Sequence, residues 1–319
     1  MSYYLKRPEL TVPIARGIVN GSAHRQIARV AACAPSTVTK RIARLGRHAQ
    51  LLHQLCVAAL PSLDEPLNYD DFETFTGSQY HPCGLGMSVG HHSWFLYGLG
   101  FAPHRRGGHL SPAQRRKQLR WDRRGGKPAR DPYVRALHRQ LDVLIPKAGV
   151  KPLVLMSDDK TDYSRALKRH PLGSHVRHRI YPNPKRGPKG SMRTPEARER
   201  DRAMFPIDAL HSFVRHSVKA HARETIAFGR RSEAQLERVY LFTVFRNLLK
   251  CRSERRPGSI TPAMWLKLTD NLWTWDRVFA QRLQPSRIDG GAAWPDLYGR
   301  TMRTPTLTRT PAHRLKLAY

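Results

Sequence analysis

Residues 153–163 read LVLMSDDKTDY. A short apolar run, Leu153 to Met156, stops one residue before two adjacent acids, Asp158 and Asp159. Such a run, bounded by polar punctuation, has the pattern of a buried strand. Acids are scarce in this chain: 56 Lys+Arg stand against 24 Asp+Glu, a formal net charge of +32. A pair of carboxylates kept at the end of a buried strand amid so much cation points to work that needs negative charge. Holding a hard divalent cation is such work, because Mg²⁺ takes oxygen ligands.

Outward from this stretch, the pattern alternates strand and helix. Val134, Leu137, Leu141 and Leu144 share one face and predict a helix over about 132–146. LNYDDFETFTG (67–77) reads as a strand, and GLGMSVGHHSWFLYGLGFAP (84–103) as two strands around His91 and His92. Those histidines read as surface or core residues, since neighbours in a strand point to opposite sides. Residues 104–130 are a basic, glycine-bearing stretch with ten Arg or Lys and one acid, Asp122. After LVLM, HVRHRIYPNP predicts another strand and KRGPKGSMRTPEARERDR a charged loop. IDALHSFVRHSVKAHA and SEAQLERVYLFTVFRNLLK predict helices, followed by an amphipathic segment (262–283) and a basic tail. Trp265, Trp273 and Trp275 on that segment read as packing residues. Three strands, a helix, two strands and closing helices form an α/β order with a mixed sheet. By analogy it is the ribonuclease H-like order.

The first sixty residues hold nine Lys or Arg and one acid, Glu9. Asn20-Gly21 ends a helix with an Ile14, Ile18, Val19 stripe, and Ser22 suits the N-cap of the next. After the short turn ACA, Pro35 suits the first position of a further helix. Val38, Ile42 and Leu45 share one face of it, which leaves Ser36, Thr37, Thr39, Lys40 and Arg41 outward, with Arg44 beyond. Two short helices, a tight turn and a basic exposed face make a helix-turn-helix layout, suited to phosphates and base edges in a DNA groove. The expected division is an all-α helix-turn-helix domain (1–60), a linker (61–66), a ribonuclease H-like domain (67–252), and a helical segment with the basic tail (253–319).

Three blocks carry a resemblance. LNYDDFETFTG, VLMSDDKTDY and ARETIAFGRRSE, in that order behind a helix-turn-helix, are similar to the three acidic blocks of bacterial insertion-sequence transposases of the DDE type. Asp70 lies four residues before Thr74, Asp158 five before Tyr163, and Thr225, Ile226 and Phe228 precede Glu233. FPIDALHSFVR resembles the lead-in helix of the same group, so the likeness spans roughly residues 12–250. The chain departs from the pattern at Asp71, Asp159, Gly229 and Arg231. The resemblance implies Asp70, Asp158 and Glu233 as catalytic metal ligands for Mg²⁺ or Mn²⁺. Asp71, Asp159, and Glu237 or Glu224 are the respective alternatives. It implies phosphodiester hydrolysis and strand transfer on double-stranded DNA, at element ends and target, by a homo-oligomer assembled on that DNA. Residues 104–130 and 165–202 would follow the DNA path.

Other classes are narrowed by composition. Cys33, Cys56, Cys83 and Cys251 form no C-x-x-C pair, so no zinc ribbon or redox motif is legible. No apolar run reaches the roughly 20 residues of a membrane helix, and MSYYLKRPEL has no signal-peptide core. A cytoplasmic, nucleoid-associated protein is the expectation. The rival reading is a non-catalytic DNA-binding protein, either a helix-turn-helix transcriptional regulator or a decayed transposase remnant.

Overall fold

The computed structural model describes residues 5–185, 187–188, 190–285, 288 and 302. The chain opens with three helices, α1 (Thr11–Val19), α2 (His24–Val30) and α3 (Pro35–Ala58). A hairpin pair of sheet connections follows: β1 (Leu67–Phe75), β2 (Pro82–Gly90) and β3 (Leu96–Pro103). Next come α4 (Pro112–Gly125), α5 (Pro132–Ala148), β4 (Leu153–Ser157), α6 (Thr161–Arg169) and β5 (Val176–Ile180). The long helices α7 (Pro195–Ser217) and α8 (Ser232–Val244) close the body, with a π-helical turn over Phe245–Leu249. Two short helices end the described chain, α9 (Pro262–Trp265) and α10 (Trp275–Ala280).

The five strands form one mixed sheet in the order β3-β2-β1-β4-β5. β1 pairs antiparallel with β2, and β2 with β3, while β1–β4 and β4–β5 are parallel. Alternation along β1 sends its side chains to two different layers. Asn68 and Phe72 face α7: Asn68 Nδ2 donates to Ala203 O at 2.7 Å, and the Phe72 ring meets His211 edge-on. Asp71 shares the other face with Tyr69, over Gly84 and Gly86, where α5 lies. A Cβ on Gly84 would come within 2.7 Å of Tyr133, so the bare face of β2 is what lets α5 approach.

Four expectations need correction. α2 is capped at Ala23 rather than Ser22, with Gln26 Oε1 accepting the Ala23 N–H at 2.7 Å. The stretch 104–130 contains a helix, α4, started by a Ser111–Gln114 capping box. Residues 195–202 belong to α7 rather than to a loop, because Thr194 caps that helix and Pro195 occupies its first turn. The segment 262–283 is two short helices rather than one run. The basic tail lies outside the described residues.

The largest departure concerns α3. It does not stop near Leu45 but runs 24 residues, and its second half packs along α8. A Cβ on Gly46 would stand 2.5 Å from Glu237 Cα, so the two helices touch backbone to backbone there. His48 meets Val278 O at 2.8 Å and His53 meets Tyr97 O at 3.2 Å. One apolar cluster therefore runs from Leu10 and Ile42 through Leu67 and Leu155 to Phe279. The N-terminal helices share a core with the sheet rather than standing apart from it. No helix among the described residues is long and apolar enough to cross a membrane.

Candidate active site

β1 and β4 are adjacent and parallel, with Leu67 opposite Leu155 and Asn68 opposite Met156. Two residues further in that register, Asp70 falls opposite Asp158. Equivalent positions on neighbouring strands share a face, so these two carboxylates stand side by side at the end of β4. Burial raises the pKa of both above the usual carboxylate value, and the charge of Asp70 raises that of Asp158 further. Two like charges held close and partly desolvated each resist ionisation.

The neighbours of the pair are polar, and of its four oxygens Asp70 Oδ2 is the one without a hydrogen bond among the described residues. Asp70 Oδ1 accepts the Asp71 N–H at 2.8 Å and lies 3.0 Å from the Tyr163 hydroxyl. Asp158 Oδ1 accepts the Lys160 N–H at 3.1 Å, and its Oδ2 accepts from Asn183 at 3.2 Å. His211 Nδ1 sits 3.7 Å from Asp70 Oδ2, too far for a hydrogen bond. Burial pushes the His211 pKa down to about 4, so this contact is with a neutral ring at neutral pH.

Asp71 has a different fate. Its side chain is buried on the opposite face, where Oδ2 meets Lys160 Nζ at 3.1 Å and the Tyr163 hydroxyl at 2.9 Å. Burial lifts its pKa to about 7, against the pull of Lys160. Lys160 Nζ also lies 3.2 Å from the centre of the Tyr133 ring, which fixes it over the carboxylate. Asp159 is exposed. The strand register thus separates Asp70 from Asp71 and Asp158 from Asp159.

Glu233 sits elsewhere. It lies in the first turn of α8, and that end of the helix docks on the far end of β1: Gln235 Nε2 donates to Phe75 O at 2.7 Å. Five residues of strand separate Phe75 from Asp70, about 16 Å at the usual rise. Glu237 faces α3 and pairs with Arg47 at 3.7 Å. Glu224 lies in the irregular segment before α8, with a left-handed φ of 52°. Among the described residues no three His, Cys, Asp or Glu side chains gather closely enough to hold a metal.

The helix that does cross β1 at the carboxylate pair is α7, and it brings Asp208. The charge of Asp208 raises the pKa of Asp70, which places the two within electrostatic reach, and Asp208 is ion-paired to Arg200. Asp208 and His211 were missed by motif spacing. Their signal was positional: Met204, Ile207, Leu210 and Val214 are the buried stripe of α7, and both residues flank it. Lys160 was also missed, although it follows the acidic pair directly. As a donor set, Asp70, Asp158 and Asp208 offer the hard oxygens that Mg²⁺ or Mn²⁺ prefers. Asp70 and Asp158 fit such an ion; Asp208 would have to leave Arg200 to join them.

At the N-terminal end, Ser36 and Lys40 are exposed on α3, and Arg25, Gln26 and Arg29 are exposed on α2. Thr37 and Arg44 are half-buried. Thr39 Oγ1 is turned back to Pro35 O at 3.1 Å and to His24 Nδ1 at 3.0 Å. Arg41 does not face outward. It is 5% exposed, and its guanidinium donates to Thr11 Oγ1 at 2.6 Å, Lys6 O at 2.9 Å and Arg7 O at 3.2 Å. Position 41 is one residue before buried Ile42, on the edge of the apolar stripe, and the chain before α1 offers carbonyls there. No protein-family model matches the chain, and no curated protein or solved structure matches it at the level that identifies a relative.

Proposed function

We propose that this chain is a DNA transposase of the DDE type with a ribonuclease H-like catalytic body, preceded by a helix-turn-helix formed by α2 and α3. The observation that carries the reading is the parallel pairing of β1 with β4, which sets Asp70 beside Asp158 in a sheet of three antiparallel strands followed by two parallel ones. A divalent metal held there would polarise a phosphodiester and lower the pKa of an attacking water or 3′-hydroxyl. Asp70 and Asp158 would hold it, with Asp208 rather than Glu233 as the third acid.

The protein's own residues contribute positioning and charge. The Tyr163 hydroxyl lies between Asp70 and Asp71, 3.0 Å from one carboxylate and 2.9 Å from the other, and so fixes the two relative to each other. The exposed cations of α4, among them Arg115, Arg116, Lys117, Arg120 and Arg123, give a surface that neutralises phosphates. Double-stranded DNA, as element ends and target, is the substrate in this reading, and a homo-oligomer on DNA is the acting form. A second reading, a non-catalytic DNA-binding protein, is favoured by the distance of Glu233 and by the Arg200 partner of Asp208.

Asp158→Asn and Asp159→Asn separate the two. With Mg²⁺ or Mn²⁺ and the same DNA, Asp158→Asn should lose strand cleavage, because a neutral amide is a poor ligand for a hard cation. It should also weaken Mn²⁺ binding measured directly by electron paramagnetic resonance. Asp159→Asn, exposed and off the shared face, should retain both. Equal cleavage by parent and both variants would sink the catalytic reading.

A further inference from the structure

The turn between β2 and β3 holds Trp94 in a left-handed conformation, φ 62°, uncommon for so bulky a residue. The turn is heavily braced. Glu65 Oε2 accepts the N–H groups of His92 and Ser93 at 2.7 and 2.9 Å, and Oε1 accepts from the Tyr97 hydroxyl at 2.7 Å. Strain of this kind persists where the surroundings over-determine it. What the turn presents is an aromatic surface laced with cations. The Arg252 guanidinium lies 5.3 Å from the Trp94 ring and 4.5 Å from the Trp265 ring. Arg246 lies 5.7 Å from Trp94, and the Phe205 ring is 5.6 Å away.

Two features separate this cluster from ordinary packing. Phe205 and Trp265 are 53% and 48% exposed, a large aromatic area left in water. Arg246 is only 6% exposed, yet its Nη1 has no hydrogen-bond partner among the described residues. A buried guanidinium nitrogen without an acceptor is costly unless something supplies one. Glu65, whose charge reaches Arg252, is already committed to the turn.

The cluster lies by the start of β1, three residues, or about 10 Å, before Asp70. Phe205 is three residues before Asp208 on α7, a rise of about 4.5 Å. Gly90, where the turn begins, pairs with Leu67 at the start of β1. We infer that Trp94, Phe205 and Trp265 receive an unstacked base of the DNA strand, and that Arg246 and Arg252 meet the phosphate attached to it. Aromatic rings accept any base by its face, and guanidinium planes add to the stack. This inference rests on the proposal that the chain acts on DNA, and it names a stacking subsite for an unpaired nucleotide of that DNA.

The full-length protein tests it with two probes at one salt concentration: an oligothymidylate and a duplex of equal length. Trp265→Ala should weaken oligothymidylate binding about tenfold or more while changing duplex binding by less than about twofold. Trp265→Phe, which keeps a ring, should restore most of the loss. Arg252→Gln carries the same comparison should Trp265→Ala unfold, as judged by circular dichroism. Unchanged oligothymidylate binding in Trp265→Ala, or equal losses on both probes, overturns the base-stacking site and leaves the transposase proposal standing. A parent protein that binds neither probe overturns both.

Discussion

Arg41 shows how one rotation about a helix changes the meaning of a residue. It was expected on the DNA-facing side, yet it is buried against Thr11 and the carbonyls of Lys6 and Arg7. Removing it should therefore cost stability rather than affinity. Arg41→Ala should destabilise the fold by about 1.5–3 kcal/mol, the usual worth of hydrogen bonds to a charged group, read by urea unfolding. Its salt dependence of DNA binding should match the parent. Lys40→Ala, exposed one residue earlier, should do the opposite: no loss in unfolding free energy and a salt slope smaller by about 1. A reduced slope in the Arg41 variant would show that the guanidinium leaves its buried site to meet DNA.

At the level of elements, α3 is the part that ties the molecule together. Its first turns carry Ser36 and Lys40 to the surface, its second half packs on α8, and His53 near its end reaches Tyr97 O of β3. Gly46 is the contact point. In an exposed helix, Gly→Ala gains up to about 1 kcal/mol. Here the added Cβ would stand 2.5 Å from Glu237 Cα, and backbone on the partner helix cannot rotate away. Gly46→Ala should thus lose about 1–3 kcal/mol in denaturant unfolding, the range for overpacking. A stabilised Gly46→Ala would mean that α3 and α8 are further apart than described. The same face of α8 also holds α2, since His24 of α2 reaches Arg238 of α8 at 3.1 Å.

For the whole molecule, the distribution of buried histidines sets the response to acid. Burial lowers the pKa of His53 and His211 to about 4 and that of His221 to about 3. In the unfolded chain each binds a proton near pH 6.5, while the folded form stays neutral until about pH 4. The unfolded state then holds more protons, so stability is full above pH 6.5 and falls as pH drops through that window. His53 alone accounts for about 3 kcal/mol at most. Asp71 works the other way: its folded pKa is raised to about 7, so its contribution declines as pH rises from about 4 to 7. His24, lowered to about 4, adds a fourth histidine, while burial also raises Asp70, Asp158 and Glu237 above their usual values. The large histidine shifts outnumber the one large carboxylate shift, so net acid destabilisation is expected. His53→Gln, which retains a donor for Tyr97 O, should flatten the pH dependence of unfolding free energy between 6.5 and 4 by one proton. An unchanged slope would place His53 in contact with water.

The strands and their order were legible because buried runs such as LVLM, and the alternation around LNYDDF, are properties of neighbours in the chain. The helix stripes Val38-Ile42-Leu45 and Val134-Leu137-Leu141 were legible for the same reason, and all six residues are buried. The choice between Asp70 and Asp71 rests on period two, and the parallel register carries it through: one faces α7 and the other meets Lys160. Only the tertiary structure decided which acid approaches the pair. Glu233 and Asp208 are both acids on helices after the last strand, and nothing in their local sequence says which helix crosses β1. That depends on packing between distant segments, as does the length of α3, whose second half is amphipathic toward a partner nearly two hundred residues away. The burial of Arg41 belongs to the same class. Its acceptors are backbone carbonyls of another segment, and a carbonyl leaves no mark in the sequence.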